Sequence, residues 1–329
     1  MSEQPSAVRD QPSARKPVIV IAGSLNMDFV VRVERLPAAG ETVLGRDFHM
    51  TPGGKGANQA YAAARLAGSR IAVRMAGRVG YDLFADHLKA SLAAAGADTA
   101  AVMGTKSAAT GVALIWVDAQ GQNSIVVASG ANHAFVAADV AGLRRTVRGA
   151  AFLLAQLETP LDTVSALLAL AREEGARTIL DPAPARPLSR DLLGAVDILT
   201  PNESEALILL GRPPARVSTA DAPALAAALR GLGANAVVLK LGDQGSLYDD
   251  GERPLYEPAF AVEVTDSTAA GDTFNGALAV ALAEQMPMSG ALRFASAAAA
   301  ISVTRDGAQS SMPTRAEVES FLLSTPGAA

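Results

Sequence analysis

Residues 151–181 read AFLLAQLETPLDTVSALLALAREEGARTILD, and the fold turns on this stretch. It opens on the continuously apolar Ala151–Gln156, passes Glu158 and Pro160, and enters Leu161–Glu174, where leucine and alanine recur at helical spacing. A second apolar run, Arg177–Leu180, follows Gly175. Strands that alternate in polarity have one wet face; strands that do not are covered on both. A helix between two such strands is the crossover of a βαβ unit.

The same rhythm extends in both directions. Pro17–Ala22, Ile71–Ala76, Val196–Thr200 and Ala236–Leu241 read as further strands, and Asn58–Ala67, Leu83–Ala95, Ala222–Leu232 and Gly276–Glu284 as helices. The expected class is α/β, a doubly wound and mostly parallel sheet flanked by helices. Two segments break the rhythm. Asp28–His49 and Gly111–Val127 are strand-like with turn signals at Pro37–Gly40 and Asp118–Gln122, and neither has room for a crossover helix. They are expected to pair as one small sheet. That sheet reads as a lid of about residues 28–49 and 111–127, or equally as an extension or a subunit interface.

Composition narrows the function. Half of the 329 residues are hydrophobic, enough for a sizeable core, so disorder throughout is excluded. A net charge of −5, from 28 basic and 33 acidic residues, argues against a broad grip on nucleic acid. Without cysteine there are no disulfides, thiolate metal sites or cysteine nucleophile. The histidines, His49, His87 and His133, are too scattered for a zinc motif. No apolar run reaches the ~18 residues of a membrane span, and the polar N-terminal stretch lacks the apolar core of a signal peptide. A cytoplasmic protein with small-molecule ligands is expected.

Ligands of an open parallel sheet bind beyond the carboxyl ends of its strands. Here those ends deliver Gly23–Asp28, Glu158, Asp181–Arg186, Pro201–Glu205 and Gly242–Gly245, nearly all small or polar. Three constellations stand out. Gly53-Gly54-Lys55-Gly56-Ala57-Asn58 precedes a helix, and its glycines would let backbone N–H groups approach a ligand, though an ordinary helix entry fits as well. It is not a Walker A loop, which would need glycine at His49 and Ser or Thr at Gly56. Asn202 and Glu205, at i and i+3, share a helix face and suit a hydrated Mg²⁺ or, alternatively, a charge at a helix start. Around Asp272, the run Asp266–Gly276 (DSTAAGDTFNG) is rich in small residues; the amides of Ala270, Gly271 and Asp272 would form an anion hole, with Asp272 beside it as a base. A helix cap is the plainer reading of Asp272.

Taken in order, Gly23–Asp28, Gly53–Asn58, Asn202–Glu205 and Ala269–Gly276 resemble the ribokinase-like (PfkB) sugar kinases. The segments QLETP (156–160), DPAPAR (181–186) and the stretch from Arg293 to Gln309 strengthen the resemblance, which runs from about Val18 to Leu323. It implies a kinase domain over 17–325 with flexible tails at 1–16 and 326–329, and phosphorylation of the ribose 5-hydroxyl by ATP. By resemblance, Asn26, Asp28, Gly54, Lys55, Asn58 and Glu158 bind the sugar and Asp272 is the catalytic base, with Ala270 and Gly271 in the anion hole. Asn202, Lys240, Gly242, Gly245 and Ser296 contact the nucleotide, and Glu205 organises Mg²⁺ through water. A K⁺ site is implied at Asp266, Thr268, Ser302, Arg305, Gly307 and Ser311. A homodimer through the lid is implied as well.

Overall fold

The structure, a computed structural model, describes residues 16–325; residues 1–15 and 326–329, which hold nearly all of the expected tails, lie outside the described residues. Within them the strands are β1 (Val18–Ala22), β2 (Asn26–Val33), β3 (Gly45–Gly53), β4 (Ala72–Val79), β5 (Ala97–Gly104), β6 (Gly111–Val117) and β7 (Asn123–Ala128). They continue with β8 (Phe152–Gln156), β9 (Arg177–Asp181), β10 (Ile198–Leu199), β11 (Ala236–Lys240), β12 (Ser246–Asp249) and β13 (Leu255–Glu257).

Nine of these form the main sheet, in the order β13-β12-β11-β10-β9-β8-β1-β4-β5. All neighbours from β11 to β5 run parallel, while β12 and β13 add an antiparallel edge. The unbroken apolar character of β1 has a direct cause. Ile19 and Ile21 enter one buried cluster while Val18, Val20 and Ala22 enter another, so alternate side chains meet helices on opposite faces. The chain leaves β1 towards β4 and β5 and returns through β8 on the other side. This reversal makes the carboxyl ends of β1 and β8 the switch point of the sheet, where a crevice opens.

The small sheet has the order β3-β2-β6-β7. Its two hairpins are joined by parallel pairing of β2 with β6, from Asn26↔Gly111 to Arg32↔Val117, so the two strand-like segments do come together. Asp118 turns the second hairpin by accepting the Gln120 and Gln122 amides, each at 2.9 Å.

Helix boundaries depart from expectation at two informative places. The first helix is Lys55–Ala67 rather than Asn58–Ala67, and the helix expected from Gly276 begins at Ala270 and runs to Ala283. Neither Gly54 nor Ala269 caps its helix with a side chain, so the usual Ser, Thr or Asp signal is missing from the sequence. Val196–Thr200 shortens to a two-residue strand. Helices Glu203–Leu209, Met288–Ser302 and Arg315–Ser324 and the edge strand β5 are additional. Among the described residues no helix is long and apolar enough to cross a membrane.

The helices Lys55–Ala67 and Ala270–Ala283 pack closely at Gly276. A Cβ there would stand 2.8 Å from Gln59 O and 2.9 Å from Ala62 Cβ. Close-packed interiors have no slack for that methyl. Glycine therefore sets the helix separation that brings Asn58 and Gln59 to Asp272.

Candidate active site

The site grows from the end of β1. Ser24 carries its side chain onto the start of the Lys55–Ala67 helix, where Gly56 N donates to Ser24 Oγ (3.3 Å) and Ala57 N to Ser24 O (2.9 Å). Lys55 N donates to Glu158 Oε2 (3.1 Å), which also accepts from Ser24 Oγ (2.5 Å). The orphan amides of this helix thus find acceptors within the protein. The amides of Lys55, Gly56 and Ala57 are therefore spent within the protein. The glycines serve close approach instead: a Cβ on Gly56 would stand 2.7 Å from Gly23 C, and one on Gly53 would stand 2.0 Å from Asp28 Oδ2.

Asp28, on β2, is almost buried. Burial raises its carboxyl to about 7, with the charges of Glu158 and Asp272 pushing the same way. Neighbouring Asn26 has its Oδ1 taken by Asn132 Nδ2 at 2.7 Å, which leaves its own Nδ2 for a ligand. Asn132 also grips the backbone of Leu25, accepting from its N–H at 2.8 Å and donating to its carbonyl at 3.1 Å. Gly111 leaves room for this arrangement, since a Cβ there would meet Asn26 Oδ1 at 2.3 Å. Sequence reasoning did not find Asn132, which lies 107 residues from its partner.

Asp272 is the third residue of its helix and is buried. Asn58 Nδ2 donates to its Oδ2 and Gln59 Nε2 to its Oδ1, both at 3.1 Å. Asn58 is held in turn by Gln309 Nε2 (3.3 Å). Burial pushes Asp272 up to about 6; Asp181 adds to the rise, while Lys55 and the two amides oppose it. The plain cap reading is ruled out, because the cap position is Ala269, in the left-handed region at φ 58°, with no side-chain cap. Of the three expected anion-hole amides, Ala270 N is engaged by Ser267 O at 3.2 Å. Among the described residues the N–H groups of Gly271 and Asp272 have no acceptor.

Those two amides face a cleft of about 850 Å³. Lys55, Lys240, Asp181 and Glu205 line the same cleft, as do Asn202, Gly242, Gly245 and Ser296. For Lys55, burial would lower the ammonium, but Asp272, Asp181, Glu158 and Glu205 together raise it above the ordinary lysine range. Lys240 Nζ donates to Asp181 Oδ1 at 3.1 Å. Asn202 and Glu205 form a reciprocal cap, Glu205 N to Asn202 Oδ1 and Asn202 N to Glu205 Oε2, each at 2.8 Å. The helix-start reading of this pair is therefore correct. It leaves Glu205 Oε1 and Asn202 Nδ2 unused. Burial raises Glu205, partly offset by Lys240.

At the cleft's rim Asp266 ties two loops together. Its Oδ1 accepts from Thr268 N (2.9 Å) and Thr268 Oγ1 (2.6 Å), and its Oδ2 from Gly307 N (2.9 Å). Burial alone would raise this carboxyl; the hydrogen bonds outweigh it and hold it low. Among the described residues the carbonyls of Thr268, Arg305 and Gly307 accept no hydrogen bond. The Ser302 carbonyl accepts from Arg305 N, and the hydroxyls of Ser302 and Ser311 donate to the carbonyls of Ala299 and Ala308. Oxygen donors of this kind suit a large monovalent cation. Among the described residues no cluster of three His, Cys, Asp or Glu side chains could hold a metal ion.

The arrangement offers a buried carboxylate, two free amides at a helix start and two ammonium groups, opening on one cleft. The chain is 41% identical over 307 residues to the ribokinase of Haemophilus influenzae, covering 92% of this chain and 98% of that protein. To the Bacillus subtilis ribokinase it is 42% identical over 304 residues, covering 92% and 99%. A solved structure of Arabidopsis thaliana ribokinase, complexed with ribose and ATP, superposes with a TM-score of 0.84 at 35% identity, over 93% of this chain and 98% of that one. The sequence profile of the pfkB family carbohydrate kinases matches residues 16–315, and the chain belongs to that family.

Proposed function

We propose that the chain is a ribokinase, transferring the γ-phosphoryl group of ATP to the 5-hydroxyl of D-ribose. The observation that carries this reading is the buried Asp272 carboxylate beside two unengaged helix-start amides. The Arabidopsis complex with ribose and ATP supports the substrate pair.

Asn26 and Asp28 at the start of β2 take sugar hydroxyls, with Asn58, Lys55, Glu158 and the backbone of Gly54 completing the pocket. Asp272 accepts the proton of the 5-hydroxyl as that oxygen bonds to the γ-phosphorus; the bond to the bridging oxygen breaks and ADP leaves. The free Gly271 and Asp272 amides meet the charge on the phosphoryl oxygens, and Lys55 and Lys240 add two cations. Asn202, Gly242, Gly245 and Ser296 line the nucleotide's side of the cleft. The small sheet, residues 28–49 and 111–127, acts as a lid on the 17–325 kinase domain and excludes water, the competing acceptor.

Mg²⁺ suits this donor set as a hydrated ion, because one free carboxylate oxygen on Glu205 and the nucleotide's phosphates need no all-protein cage. Such an ion supplies charge neutralisation at the phosphates. A K⁺ ion suits Asp266 with the oxygens of Thr268, Ser302, Arg305, Gly307 and Ser311, where it would stiffen the loop before the anion hole. Consumption of ATP fits the cytoplasm.

A panel of ribose, 2-deoxyribose and adenosine, assayed by ADP release with and without K⁺, tests the proposal. Ribose is expected to give the highest kcat/KM and K⁺ to raise it. Preference for another acceptor would move the chain to a different kinase of the fold, and no acceptor-dependent ADP release would leave it a sugar-binding homologue.

Self-association through the lid is the second part of the proposal. On the row Met50–Phe29–Leu114–Val126, opposite the face carrying Asp28, Met50 is 49%, Leu114 42% and Val126 55% exposed, and Phe48 nearby is 61%. An apolar row on a sheet face marks an interaction surface. Leu114→Glu with Val126→Lys is expected to convert a dimer to a monomer by light scattering. A wild-type chain that is already monomeric at micromolar concentration would refute it.

A further inference from the structure

Asp181 ends β9 almost fully buried, and both its oxygens are engaged. Oδ1 accepts from Lys240 Nζ at 3.1 Å and Oδ2 from Gln59 Nε2 at 3.0 Å. The same Gln59 nitrogen donates to Asp272 Oδ1 at 3.1 Å, so its two protons serve two carboxylates. Gln156 Nε2 fixes which way round the Gln59 amide sits by donating to its Oε1 at 2.7 Å. Lys240 Nζ would stand 3.3 Å from a Cβ on Gly271, so its ammonium lies against the turn with the free amides. The contacts close a ring, from the Gly271 turn through Lys240, Asp181 and Gln59 to Asp272, one residue beyond the turn.

We infer that Asp181 is a positioning residue: through Lys240 it holds an ammonium group against the Gly271 turn for the transferred phosphoryl group, and through Gln59 it fixes the carboxylate of Asp272. This rests on the reading of Asp272 as base. Asp181 touches neither sugar nor phosphate in this scheme and acts through its two partners. A buried carboxylate is tolerable only when paired. The pairing here spends the charge on orienting a cation that the polyphosphate then shares. Lys55, Glu203, Glu205, Asp243 and Asp272 are the other charged groups lining this cleft.

The consequences differ for the two members of the pair. Lys240→Met strands the Asp181 charge beside the nucleotide phosphates, and KM for MgATP is expected to rise about 100-fold. Asp181→Asn leaves the lysine's charge in place but loosens it and the base, so kcat is expected to fall about 10-fold without a rise in KM for MgATP. The double variant removes the stranded charge and is expected to recover KM for MgATP at least about 10-fold relative to Lys240→Met. Steady-state kinetics of the three variants, with thermal melts, test this. Losses that multiply in the double variant would reject the brace, as would an Asp181→Asn enzyme with wild-type kcat; that isosteric change remains decisive if Lys240→Met does not fold. Asp272→Asn belongs in the same series. If it stays active the base assignment falls, whereas an inactive Asp272→Asn with multiplying losses removes the brace alone.

Discussion

Asp272→Asn is expected to lower kcat by about 10²–10⁴-fold, the usual worth of a positioned general base, with little change in KM for ribose. The substitution keeps shape and removes proton affinity. Asn58 and Gln59 both donate to the carboxylate, so an asparagine would retain an acceptor for one of them and the helix start would survive. Folding is therefore a poor explanation for lost turnover, and an unchanged melting temperature is the control. Turnover within a few-fold of wild type would remove Asp272 from the chemistry.

The pH profile supplies an independent arm of the same prediction. A base works only when ionised, and burial raises Asp272 to about 6, so kcat/KM should fall as pH drops through that value. Asp28, raised to about 7 by burial and by Glu158 and Asp272, adds an earlier loss as its protonated form surrenders an acceptor to the sugar. Because these groups interact, the two steps belong to the set. Asp28→Asn should abolish the upper step and keep the lower. A wild-type profile flat from about pH 8 to pH 5 would contradict both assignments.

How far the site could be seen in the sequence depended on how local its contacts are. The Asn202/Glu205 spacing announces a helix start because both residues fall within one helical turn, and the run of small residues before Asp272 announces a close approach. The main sheet was legible for a similar reason, since β1 and β8 bury both faces and read as unbroken apolar runs. The two hairpins were legible as strands through their turn residues. Gln59 and Asn132 gave no such signal, and Asp181 showed only as a carboxylate at a strand end, without its partners. Gln59 lies 122 residues from Asp181 and 213 from Asp272, and each residue taken alone is an unremarkable polar position. The two helix starts at Lys55 and Ala270 were misplaced because their caps come from elsewhere in the fold or do not exist. Glu158, read as a sugar ligand, spends one oxygen on exactly that capping task.

Gly53→Ala is expected to raise KM for ribose about 100-fold while leaving the melting temperature nearly unchanged. The residue lies on β3 opposite Asn26, and its missing side chain is the space the Asp28 carboxylate occupies. A methyl there would stand 2.0 Å from Asp28 Oδ2 and 2.4 Å from Asp28 Cγ, far inside van der Waals contact. Something must move, and the cheapest thing is the end of the aspartate side chain. The strand itself has no need to shift, since the three atoms nearest the added carbon all belong to the Asp28 carboxyl group. Rotating that carboxylate away forfeits charge-assisted hydrogen bonds to the sugar, worth about 1.5–3 kcal/mol each. One or two such bonds account for a 100-fold effect, at about 1.4 kcal/mol per tenfold. Gly56 makes the contrast explicit, because a methyl there meets the backbone of Gly23 and Ser24 and has no side chain to displace. Its alanine variant should lose stability as well as affinity. A Gly53→Ala enzyme with wild-type KM for ribose would mean that Asp28 does not hold the sugar.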